Sequence, residues 1–376
     1  MTSSAPAKLM VVGGGTGGHL YPGIAVAEAW LASIDGAEVV FVGSPNGLEG
    51  RVVPELGYRF IPVEARRLKN AGIVERLKSL VRMPMAILAG YRIIRGERPQ
   101  VILGVGGYVS GPVVLAAALS GRPSAVAEQN ARPGLTNRIL AKFVKRVYTA
   151  FPEAIERLPA QKVKELGNPV RQDFLKAAEQ TNDGAIHVLI LGGSQGARSL
   201  NQGLPEVIAQ LQKRVPKLSV MHQTGRDRDE AVRKTYTDLH VDNADVQSFI
   251  DDMATEIAKA DLVVARAGAT TVAELACIGR AAVFIPFPFA ADDHQAANAA
   301  SLVSAGAALM QREDGMTTER MVDLLLPLLV DRDRLDAMGQ AALERGRPQA
   351  AASMVDDLAQ LSGLGVSRPH GLEECR

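Results

Sequence analysis

Leu9-Met10-Val11-Val12-Gly13-Gly14-Gly15-Thr16-Gly17-Gly18-His19 runs from apolar residues into a glycine cluster, and an apolar helical stretch (Ile24, Ala25, Ala27) follows. A short apolar run closed by glycines reads as a buried strand turning into a helix, the opening unit of a parallel α/β sheet. The same unit returns as HVLILGGSQGARSLN at 187–201. Other apolar runs lie at 39–42, 101–105, 124–127 and 146–150, then at 218–222, 261–265 and 282–287, spaced by helical patterns. Two openings of one kind predict an α/β protein of two Rossmann-like, doubly wound parallel-sheet domains facing across a cleft.

The polar stretch GNPVRQDFLKAAEQTNDGA (167–185), with Pro169, reads as punctuation between them. The expected division is a first domain over 1–165, a linker over 166–185 and a second domain over 186–362, whose final helix has the option of packing back on the first. Residues 363–376 read as a disordered tail.

The whole chain of 376 residues carries a net charge of only +1, so its overall field gives no reason to expect a nucleic-acid partner. Its two cysteines, Cys277 and Cys375, lack metal or disulfide-framework spacing and fit a reducing compartment. The apolar run before Gly13 is too short for a signal-peptide core, and no run approaches a spanning helix. Any membrane contact is therefore expected to be peripheral.

Gly13, Gly15 and Gly18 match the dinucleotide fingerprint GxGxxG. That fingerprint also wants an acid closing the second strand, and Ser44-Pro45 stands there instead, so the dinucleotide reading is poor. His19 ends the loop at a helix start, where dipole and amides disfavour a further positive charge. A neutral imidazole at the carboxyl end of a sheet suits general-base work; capping of local backbone is the plainer alternative.

Gly192-Gly193-Ser194-Gln195-Gly196 also fits the nucleophile elbow GxSxG, with His222, His240, His294 and His370 as downstream partners. Ser194 fits equally as a phosphate-binding hydroxyl at a helix start. In ARAGATTVAELACIG (265–279) a strand runs through Gly268 into a helix whose first amides, near Thr270 and Thr271, suit a diphosphate. Glu274, one turn on, suits two ribose hydroxyls, though an ordinary capped helix with a surface glutamate reads the same. Asp251-Asp252 and Asp292-Asp293-His294 lack metal-ligand spacing, so no metal is expected.

GGTGGH (14–19), GVGGYVSGP (104–112), EQNARPGLTNR (128–138), GNPVR (167–171), GGSQGA (192–197), FIDDM (249–253), RAGATTVAE (266–274) and DDHQ (292–295) occur in one order. In that order the chain resembles the cell-wall branch of glycosyltransferase family 28, enzymes of the GT-B fold, from about Leu9 to about residue 360. The resemblance implies an inverting N-acetylglucosaminyltransferase of peptidoglycan synthesis, tied to cell shape and division. Its donor would be UDP-N-acetylglucosamine and its acceptor undecaprenyl-diphosphate-linked N-acetylmuramyl-pentapeptide, with no cofactor.

It also implies roles residue by residue. His19 would be the base, and Thr16, Gly17 and Gly18 would border diphosphate and sugar. Ile250 would read uracil through its backbone, and Arg171 would lie at the domain junction. Ser194 and the stretch Ala269, Thr270, Thr271, Val272 and Ala273 would hold the diphosphate, and Glu274 the ribose. Gln295 and Asn130 would take sugar hydroxyls, with Glu128 and Tyr108 on the acceptor side. Ala127 departs from the histidine usual before EQN. Alternatives are another GT-B enzyme (a glycolipid synthase or a UDP-N-acetylglucosamine epimerase), a serine hydrolase using Ser194, or a non-catalytic scaffold.

Between Glu64 and Arg98 nine basic residues (Arg66, Arg67, Lys69, Arg76, Lys78, Arg82, Arg92, Arg95, Arg98) face three acidic ones, with apolar residues interleaved at helical spacing. That pattern predicts docking on the anionic cytoplasmic leaflet of the bacterial inner membrane, where other cell-wall and division proteins are expected partners. The plainer reading is an apolar stripe facing the first domain's core.

Overall fold

Along the first strand, Leu9 and Val11 pack with one apolar cluster while Met10 and Val12 pack with another, all of them buried. A strand apolar on both sides belongs in the middle of a sheet covered by helices on both faces. The computed structural model describes residues 6–63, 73–177, 185–193 and 195–366, and of 73–82 the backbone alone.

The chain divides into two units, Met1–Arg171 with Gln349–Arg376, and Gln172–Pro348. The first unit opens with β1 (Ala7–Gly13), α1 (Gly17–Ser33), β2 (Ala37–Gly43), α2 (Glu49–Glu55), β3 (Arg59–Pro62) and α3 (Ile73–Glu97). It continues with β4 (Val101–Gly106), α4 (Ser110–Leu119), β5 (Ser124–Glu128), α5 (Leu135–Leu140), β6 (Arg146–Thr149) and β7 (Val163–Glu165). The second unit holds α6 (Gln172–Ala177), β8 (Ile186–Leu191), α7 (Arg198–Gln212), β9 (Leu218–Gln223), α8 (Asp229–Asp238) and β10 (Ala244–Gln247). After these come α9 (Met253–Lys259), β11 (Leu262–Ala265), α10 (Ala269–Ile278), β12 (Ala281–Phe284) and α11 (His294–Ser304). β13 (Ala308–Met310), α12 (Thr318–Leu329) and α13 (Arg332–Arg345) complete it, and α14 (Ala350–Ser362) belongs to the first unit.

Both sheets are parallel throughout, in the orders β3-β2-β1-β4-β5-β6-β7 and β10-β9-β8-β11-β12-β13. The chain reverses its winding between β1 and β4 in one sheet and between β8 and β11 in the other. Ligands of doubly wound folds bind at the carboxyl ends of the strands beside such a switch point. The glycine loops after β1 and β8 and the Gly268 turn after β11 all end there. Sequence patterning finds every interior strand. The four it misses, β3, β7, β10 and β13, are the four sheet edges. An edge strand is covered less completely and needs no continuous apolar run, as RFIP and VKE illustrate.

The sequence reading carries the second domain to 362 and leaves its final helix the option of packing on the first; the second unit ends at Pro348, and that helix, α14, belongs to the first unit. Met354, Val355 and Leu358 of α14 enter the core formed by β1 and α1. Asp357, on the same helix and 4% exposed, accepts a hydrogen bond from Tyr148 Oη at 2.8 Å and pairs with Arg146 and Lys164. A carboxylate buried this deeply requires such partners, and all three come from β6 and β7. Past α14, Leu364 and Val366 still pack against this core. The rest of the expected tail, 367–376, lies outside the described residues. Among the described residues no helix is long and apolar enough to cross a membrane.

Candidate functional site

In the first unit, β1 leaves the sheet through Gly13, Gly14 and Gly15, with φ of 129°, 139° and 90°. Only glycine adopts such a path without strain. A Cβ on Gly13 would stand 2.0 Å from the Gly106 carbonyl oxygen, so the loops after β1 and β4 meet backbone to backbone. Thr16, extended, precedes α1, and Gly17 and Gly18 open the helix. Thr16 Oγ1 lies 3.2 Å from His19 Nδ1. The imidazole rests on Gly106, where a Cβ would stand 2.6 Å from Cδ2 and 2.9 Å from Nε2. His19 is thus held half-exposed at the switch point by a hydroxyl on one side and a bare glycine floor on the other.

Glu128, at the end of β5 and 3% exposed, is turned inward. Its oxygens accept from Asn130 N and Gly134 N, both at 3.0 Å, from Asn137 Nδ2 at 2.9 Å and from Asn130 Nδ2 at 3.3 Å. Burial pushes its carboxyl above the ordinary range, while these hydrogen bonds pull the other way. Glu128 braces the loop that carries Asn130. Tyr108, after β4, is exposed, and the Arg171 guanidinium stacks 4.8 Å from the centre of the Tyr21 ring on α1.

In the second unit, Gly193 and Gly196 have positive φ, and a Cβ on Gly196 would stand 1.9 Å from the Thr224 carbonyl oxygen. The loop after β8 therefore packs directly on the loop after β9. Ser194 lies outside the described residues. Ile250 is buried, and its N–H donates to Gln223 Oε1 at 3.0 Å. Sequence reasoning assigns Gln223 nothing, because its partner lies 27 residues away. Gly268 caps α10, whose first-turn amides, from Ala269 to Thr271, point out of the helix start, with Val272 and Ala273 following. Glu274 sits one turn further on, 9% exposed. Gln295, in the first turn of α11, accepts the Phe287 N–H through Oε1 at 2.9 Å.

Arg266, within a quoted motif but given no role from sequence, ties these pieces together. It donates to the carbonyls of Ile285 and Pro286 and to Ser199 Oγ, pairs with Glu313 at 2.5 Å and stacks on Phe287. The carboxylates near 251 and 292 have local work. Asp252 caps α9 through the Thr255 N–H, and Asp293 forms a double hydrogen bond with Arg312. Among the described residues no group of three or more histidine, cysteine or acidic side chains could hold a metal ion.

His222 is fully buried behind the glycine loop, with Nε2 3.2 Å from Asn201 Oδ1 and Nδ1 3.0 Å from Tyr236 Oη. Asn201 spends its Nδ2 on the Thr224 carbonyl, so its Oδ1 faces the ring and Nε2 carries the proton. Nδ1 then accepts from the tyrosine, and both ring nitrogens are satisfied in the neutral form. Burial pushes this histidine from about 6.5 down to about 3. As pH falls through 6.5 the unfolded chain takes up a proton there that the folded chain refuses until about 3. Stability should drop by about 1.4 kcal/mol per pH unit over that window on this account. In urea unfolding at pH 7, 6 and 5, His222→Gln should flatten the acid-side loss by about that slope. Equal slopes in the two proteins would show that His222 is not held neutral.

Residues 9–149 match the family model described as the glycosyltransferase family 28 N-terminal domain, and residues 187–355 the family 28 C-terminal domain. The chain belongs to glycosyltransferase family 28. It is 46% identical, over 93% of its length and 91% of the relative's, to a Myxococcus xanthus protein. That protein is named UDP-N-acetylglucosamine--N-acetylmuramyl-(pentapeptide) pyrophosphoryl-undecaprenol N-acetylglucosamine transferase. A Geobacter sulfurreducens protein of the same name is 40% identical over 93% of this chain and 98% of its own. Among solved structures, Acinetobacter baumannii MurG aligns with a TM-score of 0.76 at 35% identity, covering 94% of this chain and all of that one. A putative UDP-N-acetylglucosamine 2-epimerase from Listeria monocytogenes aligns at 0.71 with 16% identity, over 97% of this chain and 99% of that one, and shares the fold alone. The two doubly wound units are those of the GT-B fold.

Proposed function

We propose that this chain transfers N-acetylglucosamine from UDP-N-acetylglucosamine to the 4-hydroxyl of N-acetylmuramyl-pentapeptide carried on undecaprenyl diphosphate. This is the lipid I to lipid II step of peptidoglycan synthesis. The observation that carries the reading is 46% identity across 93% of the chain with a transferase of that printed name. The residues supply the chemistry. His19, its Nδ1 3.2 Å from Thr16 Oγ1, serves through Nε2 as the base for the acceptor hydroxyl. The hydroxyl oxygen bonds to the donor's anomeric carbon as the bond from that carbon to the β-phosphate oxygen breaks. The proton passes to Nε2, and the configuration inverts.

The charge left on UDP falls to the α10 amides and the Ser194 hydroxyl, so no metal enters the reaction. Glu274 holds the ribose. Since the Ile250 N–H is given to Gln223, its carbonyl is the group that reads the uracil N3–H. Gln295 Nε2 and Asn130 serve the sugar hydroxyls. Thr16, Gly17 and Gly18 border the diphosphate, and Tyr108 serves the acceptor. Incubation of radiolabelled UDP-N-acetylglucosamine with the lipid acceptor should move label into the lipid phase, in EDTA as in buffer. Label that stays in the aqueous phase would overturn the proposal.

A serine hydrolase finds little support. His222, the first histidine after Ser194, has both ring nitrogens committed inside the core.

The acceptor's lipid anchor requires the enzyme to work at a membrane surface, on this reading the cytoplasmic face of the inner membrane. Met83, Met85, Leu88 and Tyr91 of α3 are exposed. The side chains of Arg76, Lys78 and Arg82, and residues Arg66, Arg67 and Lys69, lie outside the described set. Each basic residue near an anionic leaflet contributes about 1 kcal/mol. The protein should sediment with anionic vesicles at low salt and be released as salt rises. The triple change R76E/K78E/R82E should abolish sedimentation while UDP binding persists, and equal binding to neutral vesicles would refute the electrostatic part.

A further inference from the structure

The acid that a dinucleotide-binding sheet carries at the end of its second strand is missing from Ser44-Pro45, yet an acid does reach the first glycine loop. Glu49, the first residue of α2, is 2% exposed. Its Oε2 accepts the Gly15 N–H at 2.6 Å, and its Oε1 accepts the Ser44 N–H at 2.9 Å. The carboxylate therefore joins the loops that follow β1 and β2. Three glycines make room for it: a Cβ on Gly14, Gly43 or Gly47 would stand 2.5, 2.5 and 2.3 Å from its side-chain atoms.

In a nucleotide-binding loop of this shape, backbone amides are spent on the phosphates. Here the Gly14 N–H goes to the Gly106 carbonyl and the Gly15 N–H to Glu49. The loop's inner turn is filled by an anion of the protein's own. That turn is also the one whose positive φ values deliver Thr16 and His19 to the switch point, and a charge-assisted hydrogen bond is about twice as strong as a neutral one.

We propose that Glu49 is the positioning residue of the first unit's reactive loop. Its buried carboxylate takes the place of a bound phosphate, fixes Gly13 to Gly15 in their left-handed path, and thereby aims Thr16 and His19. The part of this inference that concerns turnover rests on the transferase reading above.

Two variants separate shape from charge. Glu49→Gln keeps the volume but turns an NH2 group toward one of the two N–H donors. Glu49→Asp keeps both acceptor oxygens on a shorter stem. Misplacing a reacting group slightly costs up to about a hundredfold, so Glu49→Gln should lose about ten- to a hundredfold in kcat per folded molecule, with the KM for UDP-N-acetylglucosamine within about twofold. Glu49→Asp should retain more turnover than Glu49→Gln. A normal kcat in Glu49→Gln, a loss that follows only the folded fraction, or a glutamine variant more active than the aspartate would each overturn the proposal. A readout independent of turnover uses protein labelled with ¹⁵N-glycine. The Gly15 amide proton should resonate downfield in the wild type and move upfield in Glu49→Gln, while Gly193 and Gly268 stay in place. An unmoved Gly15 signal overturns the clamp whatever the activity. Absence of lipid-phase label with wild-type protein overturns the transferase reading and leaves the amide shift to decide the clamp.

Discussion

Replacing His19 by alanine lowers kcat by about 10²- to 10⁴-fold, the usual cost of losing a positioned base, and leaves UDP affinity close to that of the wild type. The reason lies in how the residues are distributed. Thr16 and the glycine floor at Gly106 hold the imidazole in the first unit, whereas Ile250 and the stretch from Ala269 to Glu274 belong to the second. Initial rates at saturating lipid acceptor, with calorimetric titration of UDP, separate the two quantities. A His19→Ala protein with near-normal kcat would remove histidine from the chemistry and require another base. A protein that loses UDP affinity as well would show that the substitution damages more than proton transfer.

Glu274→Ala should act on the opposite quantity. Glu274 is 9% exposed behind the α10 start, and hydrogen bonds from ribose hydroxyls to a desolvated carboxylate contribute about 1.5–3 kcal/mol. Their loss raises the donor KM by about ten- to 150-fold, with a much smaller change in kcat, because the ribose is held alike before and during transfer. Glu274→Gln, which still accepts one hydrogen bond, should fall between. Unchanged donor kinetics in the alanine variant would take Glu274 out of the site. Substitution of Gln223, which occupies the Ile250 N–H at 3.0 Å, provides a separate perturbation of the Ile250 backbone.

Two kinds of information meet in these residues. Every interior strand, both glycine loops and the start of α10 are legible in the chain, because each is set by neighbours a few residues apart. Apolar runs bury on both faces of a sheet, glycines permit the left-handed φ values of Gly13 to Gly15 and of Gly193 and Gly196, and helix starts leave amides without a carbonyl partner in their own helix. His19 is legible for the same reason, since its place at the end of the loop is a local fact.

Only the tertiary structure decides what depends on which strand lies beside which. Glu49 reaches Gly15 across 34 positions because β1 and β2 are neighbours and their loops end side by side. Sequence spacing puts the missing acid at Ser44 and gives Glu49 no role. Glu128 reads from its motif as an acceptor contact, and the fold turns it inward as a brace for Asn130. His222 reads as a spare nucleophile partner until Asn201 and Tyr236 close on it. Asp357 is 209 residues from Tyr148, yet their hydrogen bond fastens α14 to the first sheet. A buried polar group is stable only where the fold brings it partners. The sequence by itself determines the interior strands, the glycine turns and the place of His19 at a loop's end, and the packing of distant segments determines which buried carboxylates and imidazoles find partners.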